Sequence, residues 1–252
     1  MESPIITVKS IMTPKEELIT CSEDVPIDKL REEATQHHFD VIPLSQNGKI
    51  DQFYFVHRNS IMDITRDWLI SLDTTIEDLI QLFVDTNKPA FFVIQKQEIV
   101  GIVTPADLNK IPSRMYFYNL VGELEVELVG ILRDHFNMKE KLLLESLRES
   151  TREQIIREHN QLKAGNAEVD IFQLLYLSDI FRLINTNDDL REKLKIPTRS
   201  QGEKLFQGID RLRNQIMHPS RFLIQKIPDD LNKLNERVQR VRYVLNRIKN
   251  RD

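Results

Sequence analysis

The sequence holds one cysteine, Cys21, among 252 residues. A single thiol excludes an intramolecular disulfide and any zinc site built on cysteines, and it fits a reducing, cytoplasmic setting. Long apolar runs are also missing: none approaches the roughly 18–20 residues that a membrane span requires. The stretch Met1 to Lys9 has neither the basic start nor the apolar core of a signal peptide. A soluble, cytoplasmic chain with no membrane partner is therefore expected. Three enzyme signatures are absent as well: a Walker-type phosphate loop, a His-Glu-x-x-His zinc helix and a Gly-x-Ser-x-Gly nucleophile elbow. His37-His38 has no acids at ligand spacing and reads as a frayed helix end. No metal site and no required cofactor are expected.

What is present is ordinary in amount and uneven in distribution. Hydrophobic residues at 40% and charged residues at 29% are those of a globular protein. A length of 252 residues suits two domains, each able to bury its own core. The net charge of −4 hides an asymmetry: residues 1–112 carry 10 Lys+Arg against 18 Asp+Glu, and residues 195–252 carry 14 against 6. A basic tail suits a polyanionic partner such as RNA, or else a solvated helix face.

The acidic front contains an internal repeat. Val25-Pro26-Ile27-Asp28-Lys29-Leu30 and Thr74-Thr75-Ile76-Glu77-Asp78-Leu79 each follow a short apolar run and open a helix-like pattern. Ser22 or Asp24 can cap the first helix and Asp73 the second, with Pro26 suited to a first turn. Each helix is followed by paired strand signals. Val41–Leu44 and Phe53–Val56 flank an Asn47-Gly48 turn, and Phe91–Ile94 and Ile99–Val103 flank Gln95-Lys96-Gln97. The unit is strand–helix–strand–strand with a closing helix, repeated after about 49 or 50 positions.

Two strings carry a family resemblance: Ile11-Met12-Thr13-Pro14, and Gly101-Ile102-Val103-Thr104-Pro105-Ala106-Asp107-Leu108. The second fills every key position of Gly-x-x-Thr-x-x-Asp. The repeat resembles the CBS domain, which occurs in pairs called Bateman modules. That resemblance implies an adenine nucleotide as a regulatory ligand, with Thr104 on its phosphate and Asp107 on its ribose. The chemistry fits, because Thr104 ends a strand at a helix N-terminus where free N–H groups favour phosphate. Thr104 and Asp107 equally suit a capping box. The first copy, Phe53 to Ser60, lacks the pattern, so its site is expected to be empty or altered. His57 and Arg58 there are either near a second phosphate or on the surface.

From Ser113 onward the alternation stops and 3.6-residue periodicity takes over. Helices are predicted over Ser113–His135, Met138–Leu162 (closed by Ala164-Gly165-Asn166), Val169–Ile184, Gln201–Met217 and Asp229–Asn250. The expected fold class is thus α+β: tandem CBS repeats over residues 1–112, then an all-α helical bundle over residues 113–252.

One string in the helical part carries possible chemistry: Arg211-Leu212-Arg213-Asn214-Gln215-Ile216-Met217-His218-Pro219. It resembles the Arg-x(4–6)-His signature of the HEPN domain, a helical bundle that often cleaves RNA without metal. Arg152 and His159 form a second pair at a tolerated spacing, without Asn after the arginine. Pro219 should stop the helix at His218. Asn214 stands four residues earlier, where it can orient the imidazole. His218 would serve as general acid or base, and Arg213 would neutralise charge on the attacked phosphate. One pair makes a thin site, so a homodimer would be needed. Two functions stay open. One is a nucleotide-regulated, metal-independent RNA endonuclease, with a toxin or stress-response role by analogy. The other is a non-catalytic, ligand-sensing adaptor whose helical domain binds protein or nucleic acid.

Overall fold

The Asn47-Gly48 pair does what its composition predicts. Both residues take positive φ, 52° and 78°, and they close a hairpin in which Gln46 of β2 (Val41–Gln46) faces Lys49 of β3 (Lys49–Phe55). The second hairpin joins β6 (Phe91–Gln95) to β7 (Glu98–Val103), with Gln95 facing Glu98 and Lys96 at φ 58°. The computed structural model describes residues 6–165 and 167–250. Residues 1–5 of the N-terminal stretch, and Asn166 at the predicted helix end, lie outside the described residues.

The helices preceding the hairpins, α1 (Ile27–His37) and α2 (Ile76–Thr86), each hold 11 residues and end on a left-handed residue, His38 or Asn87. Their N-termini depart from the predicted caps. In α1 the N-cap is Pro26, with no side-chain hydrogen bond, while Ser22 Oγ accepts from Asp24 N within the preceding turn. In α2 the cap is Thr75, whose Oγ1 accepts from Asp78 N at 3.1 Å. Asp73 lies two residues too early, and its N–H donates to Ser71 Oγ instead.

Three short strands complete two sheets: β1 (Thr13–Pro14), β4 (Ser60–Asp63) and β5 (Leu69–Ser71). One sheet runs β1-β7-β6-β5, with β5 parallel to β6 and the other pairs antiparallel. The other is antiparallel, in the order β2-β3-β4. Their buried faces share an aromatic cluster. The Phe53 ring of β3 lies 4.6 Å from Trp68 and 5.4 Å from Phe92 of β6. Each such ring contributes a large apolar area, and tilted pairs at these distances add roughly 0.5–1.5 kcal/mol beyond it.

The chain divides into two compact units. The first comprises Met1–Tyr116 with Phe222–Asn235, and the second Phe117–Arg221 with Glu236–Asp252. The division falls inside two helices, α3 (Ile111–His135) and α10 (Asp229–Lys249).

The second unit is helical, but more broken than its periodicity predicts. The segment predicted as one helix over Met138–Leu162 forms α4 (Glu140–Ser146) and α5 (Glu149–Ala164), interrupted where extended Leu147 turns into the core. The predicted Val169–Ile184 helix is a 3-10 turn, Ile171–Leu174, capped by Asp170, followed by α6 (Leu177–Thr186). An unpredicted α7 (Asp188–Lys193) starts where Asn187 Oδ1 accepts from Leu190 N. Gln201–Met217 is likewise two helices, α8 (Arg199–Phe206) and α9 (Ile209–Met217), separated by Gly208 at φ 80°.

Gly101 of β7 is needed for close approach. A Cβ there would stand 2.5 Å from the Thr13 carbonyl oxygen of β1, which is backbone and has nowhere to go. Gly101→Ala is expected to cost about 1–3 kcal/mol by overpacking. In urea unfolding this appears as an earlier transition of the first unit, with faster amide exchange along β1; an unchanged midpoint would refute it.

Candidate functional site

β7 ends at Val103, and Pro105 then fixes the backbone of a 3-10 turn, Pro105–Asn109. Thr104 is its N-cap, at φ −125° and ψ 163°. Both Thr104 N and Thr104 Oγ1 donate to Asp107 Oδ2, at 2.7 and 3.0 Å. The other carboxylate oxygen, Oδ1, pairs with Lys110 Nζ at 2.8 Å, and Lys110 Nζ also donates to Ile11 O at 2.6 Å. Asp107 is 7% exposed, and these three donors offset the cost of burying its charge. The two sequence-predicted residues are therefore in direct contact. The helix behind Thr104 is a five-residue 3-10 turn, so little macrodipole stands there.

Thr104, Pro105, Ala106 and Asp107 form one wall of a cleft of about 390 Å³. That volume lies within the range of small-molecule sites. The lining also includes His37, His38, Phe39, Asp40 and Val41, with Leu18, Ile19, Pro89 and Ala90 adding apolar surface. His37 and His38, expected only to end a helix, are thus part of the cleft lining. The left-handed conformation of His38 turns the chain sharply, which is how five consecutive residues reach the cleft. The equal placement of His38 and Asn87, 49 positions apart, was the available signal. His37 stacks on Phe39, with ring centroids 5.3 Å apart.

Ile227 also lines the cleft, from a segment the sequence did not connect with it. Leu223 N and Ile224 N donate to Asn109 Oδ1, at 2.7 and 3.1 Å. Farther along, Asp230 Oδ2 accepts from Gln225 N at 3.1 Å and Lys226 N at 2.8 Å. The Lys226 N–H holds the Asp230 carboxyl below the usual carboxylate range, with Gln225 N–H and two nearby lysines acting in the same sense.

The 3-10 turn that follows β3, Val56–Arg58, has no Thr/Asp pair. Its His57 Nε2 lies 3.2 Å from Asp40 Oδ1, and Arg58 lies over the Phe55 ring at 5.9 Å.

In the second unit, Arg213 is half-buried on α9 and lines a cleft of about 100 Å³ with Tyr118, Val121, Gly122, Glu125, Ile216 and Met217. His218 is exposed, caps α9 at φ −113° and ψ 89°, and is not part of that lining. Asn214 is exposed as well. Among the described residues, no side-chain hydrogen bond links Asn214 to His218. The other pair separates into a structural role: His159 is buried, with Nε2 3.1 Å from Val169 O. Several cations of the basic tail are engaged within this unit. Arg247 donates to Leu194 O and Lys195 O just past α7, and Arg240 to Gln207 O at the end of α8. These are helix C-termini, where orphan carbonyls favour cations. Arg237 donates to Gln215 Oε1, and Lys249 pairs with Glu123.

Residues 61–113 match the family model of the CBS domain, a stretch that includes α2, β5 to β7, all of β4 but its first residue, and both Thr104 and Asp107. A CBS domain is thus supported in this part of the chain. Solved structures similar to the chain include the CBS domain of a bacterial CNNM/CorC family Mg2+ transporter in complex with ATP. It is 15% identical, covers 40% of this chain and 83% of that one, and has a TM-score of 0.35. CBSX2 in complex with AMP is 13% identical, covering 40% and 92%, with a TM-score of 0.37. A CBS-containing hemolysin-like protein of Oenococcus oeni PSU is 12% identical, covering 40% and 86%, with a TM-score of 0.34. No curated protein matches the chain. Among the described residues no group of His, Cys, Asp or Glu is arranged to hold a metal ion. No helix among them is long and apolar enough to cross a membrane.

The Asp230 cap gives a pH dependence of defined sign. Its folded pKa lies below the ordinary unfolded value of about 3.9. Its stabilisation of the 225–226 backbone is therefore complete above that value and lost as pH falls through the lower folded one. In an NMR titration the Gln225 and Lys226 amides should shift together, with a midpoint below the ordinary Asp range. A midpoint at or above that range would refute the cap.

Proposed function

We propose that the first unit is a tandem CBS module that senses an adenine nucleotide in the cleft lined by Thr104 and Asp107, and that the chain acts as a ligand-responsive regulator. The observation that carries this reading is the cleft itself: apolar walls around a few convergent polar groups, two of them the residues the motif nominates. Supporting the tandem arrangement are the two 11-residue helices with left-handed ends, each followed by a two-residue hairpin. Among the described residues no Lys or Arg lines the cleft, while Glu17, Asp40 and Asp107 do. That balance favours a nucleoside monophosphate over a triphosphate, whose added charge would go uncompensated.

Calorimetric titration with AMP is the test. Thr104→Ala removes one polar contact and should weaken binding about tenfold, near 1.4 kcal/mol. Ala106 is exposed on the cleft wall, so Ala106→Glu should abolish binding while leaving the melting temperature close to wild type. Equal affinity in all three proteins would sink the reading.

For the second unit, a specific observation favours keeping the ribonuclease reading beside an adaptor role. Arg213, Asn214 and His218 have no side-chain partner among the described residues, whereas Arg237, Arg240 and Arg247 are tied to their own unit. On this reading the unit is a HEPN-like bundle acting as a homodimer. Two Arg213/His218 pairs then share one cleft, His218 moving the proton of a ribose 2′-hydroxyl and Arg213 holding the phosphate. A nucleotide that gates such a switch nearly completely must prefer one state by about 5.5 kcal/mol. A labelled structured RNA incubated in EDTA should be cut by wild type, and by neither Arg213→Ala nor His218→Ala. Intact RNA under all conditions leaves the adaptor reading.

A further inference from the structure

We infer that the ligand cleft is closed on one side by the distant segment Phe222–Pro228, with Ile227 touching the bound ligand and Asn109 acting as the positioning residue that holds the segment there. This rests on the nucleotide reading of the same cleft.

The Asn109 amide is saturated. Its Nδ2 donates to Ala106 O at 3.1 Å and to Ile224 O at 2.9 Å, while Oδ1 accepts from Leu223 N and Ile224 N. Two donors and two acceptor positions are all such a group possesses. The side chain thus joins the turn that carries Thr104, Ala106 and Asp107 to a backbone 115 positions later. Aspartate lacks the donors, and glutamine is longer by a methylene. The join is reinforced by packing, since the Leu223 and Ile224 side chains are buried. Asp230 fixes the far side through Gln225 N and Lys226 N.

Directly after the four anchored residues stands Ile227, 51% exposed and on the same cleft lining as Pro105 and Ala106. A large aliphatic side chain pinned at a half-open cleft is stabilised when an apolar ligand face covers it. The adenine ring of a nucleotide is such a face. Because the segment begins four residues after His218, a ligand that grips Ile227 also restrains the chain leaving α9.

The test combines AMP titration with amide exchange on the full chain. Ile227→Ala, a half-exposed change that leaves the core intact, should weaken AMP binding about three- to tenfold. Asn109→Ala should weaken it at least tenfold and speed exchange at residues 222–226. Asn109→Asp, which keeps the two acceptor bonds, should fall between. In wild type, AMP should slow exchange across residues 222–228. Wild-type affinity in both Ile227→Ala and Asn109→Ala overturns the inference, as does exchange at 222–228 indifferent to AMP. If wild type binds no AMP, the nucleotide reading fails by itself, and ligand-free exchange then judges the wall. Protection of residues 222–226 that is lost in Asn109→Ala supports it, and equal exchange in the two proteins overturns it.

Discussion

A carboxylate almost wholly removed from water must find donors or give up its charge, and Asp107 finds three. Much of the first unit follows from how they are supplied. Two come from Thr104, which forces the chain to turn as soon as β7 ends. The third comes from Lys110, which reaches across to the Ile11 carbonyl and fixes the stretch leading into β1. Ala106 and Asn109 ride on the same turn, so the cleft wall and the clasp on residues 223–224 share this anchor. Both Thr104 donors are spent on Asp107 in this arrangement, so the capping role and any phosphate contact at Thr104 draw on the same two protons.

The parts of the fold legible in the sequence are those set by local chemistry. Asn47-Gly48 can hardly avoid a tight hairpin, and the alternation on either side fixes which faces are buried. Helix ends were harder, because several short polar residues compete for the cap. Thr75 wins over Asp73 because only it stands three residues before a free N–H at the right turn, Asp78 N. In the helical unit periodicity found the helical regions and overstated their length. Leu147 satisfies a helical pattern and a buried extended position equally well, and only tertiary packing chooses between them. Gly208 interrupts the α8–α9 region because its left-handed backbone starts a new helix, where a lone glycine in sequence is easily read through.

The candidate site divides in the same way. Thr104 and Asp107 lie three residues apart and announce themselves as a motif. His37 to Val41 carry no such spacing; they reach the cleft through one backbone inversion at His38. Ile227 is farther still from recognition, because its place depends on Asn109 binding backbone rather than side chains. Any residues at 223 and 224 other than proline would offer the same N–H groups, so nothing in their identity signals the contact.

Charge is where composition says least about partners. An excess of eight positive charges over residues 195–252 invites a polyanion, yet cations of α10 are directed at the unit's own carbonyls and acids. Helix C-termini at α7 and α8 need cations to satisfy orphan carbonyls, and Arg247 and Arg240 meet that need. A guanidinium so engaged has fewer donors left for phosphate. Any recognition of nucleic acid by this unit therefore depends on groups outside that network, with Arg213 among them. Its small cleft also contains Glu125, which repels phosphate. One copy supplies a cation with a carboxylate on the same lining and an unbound histidine outside it, which is a poor phosphate site by itself.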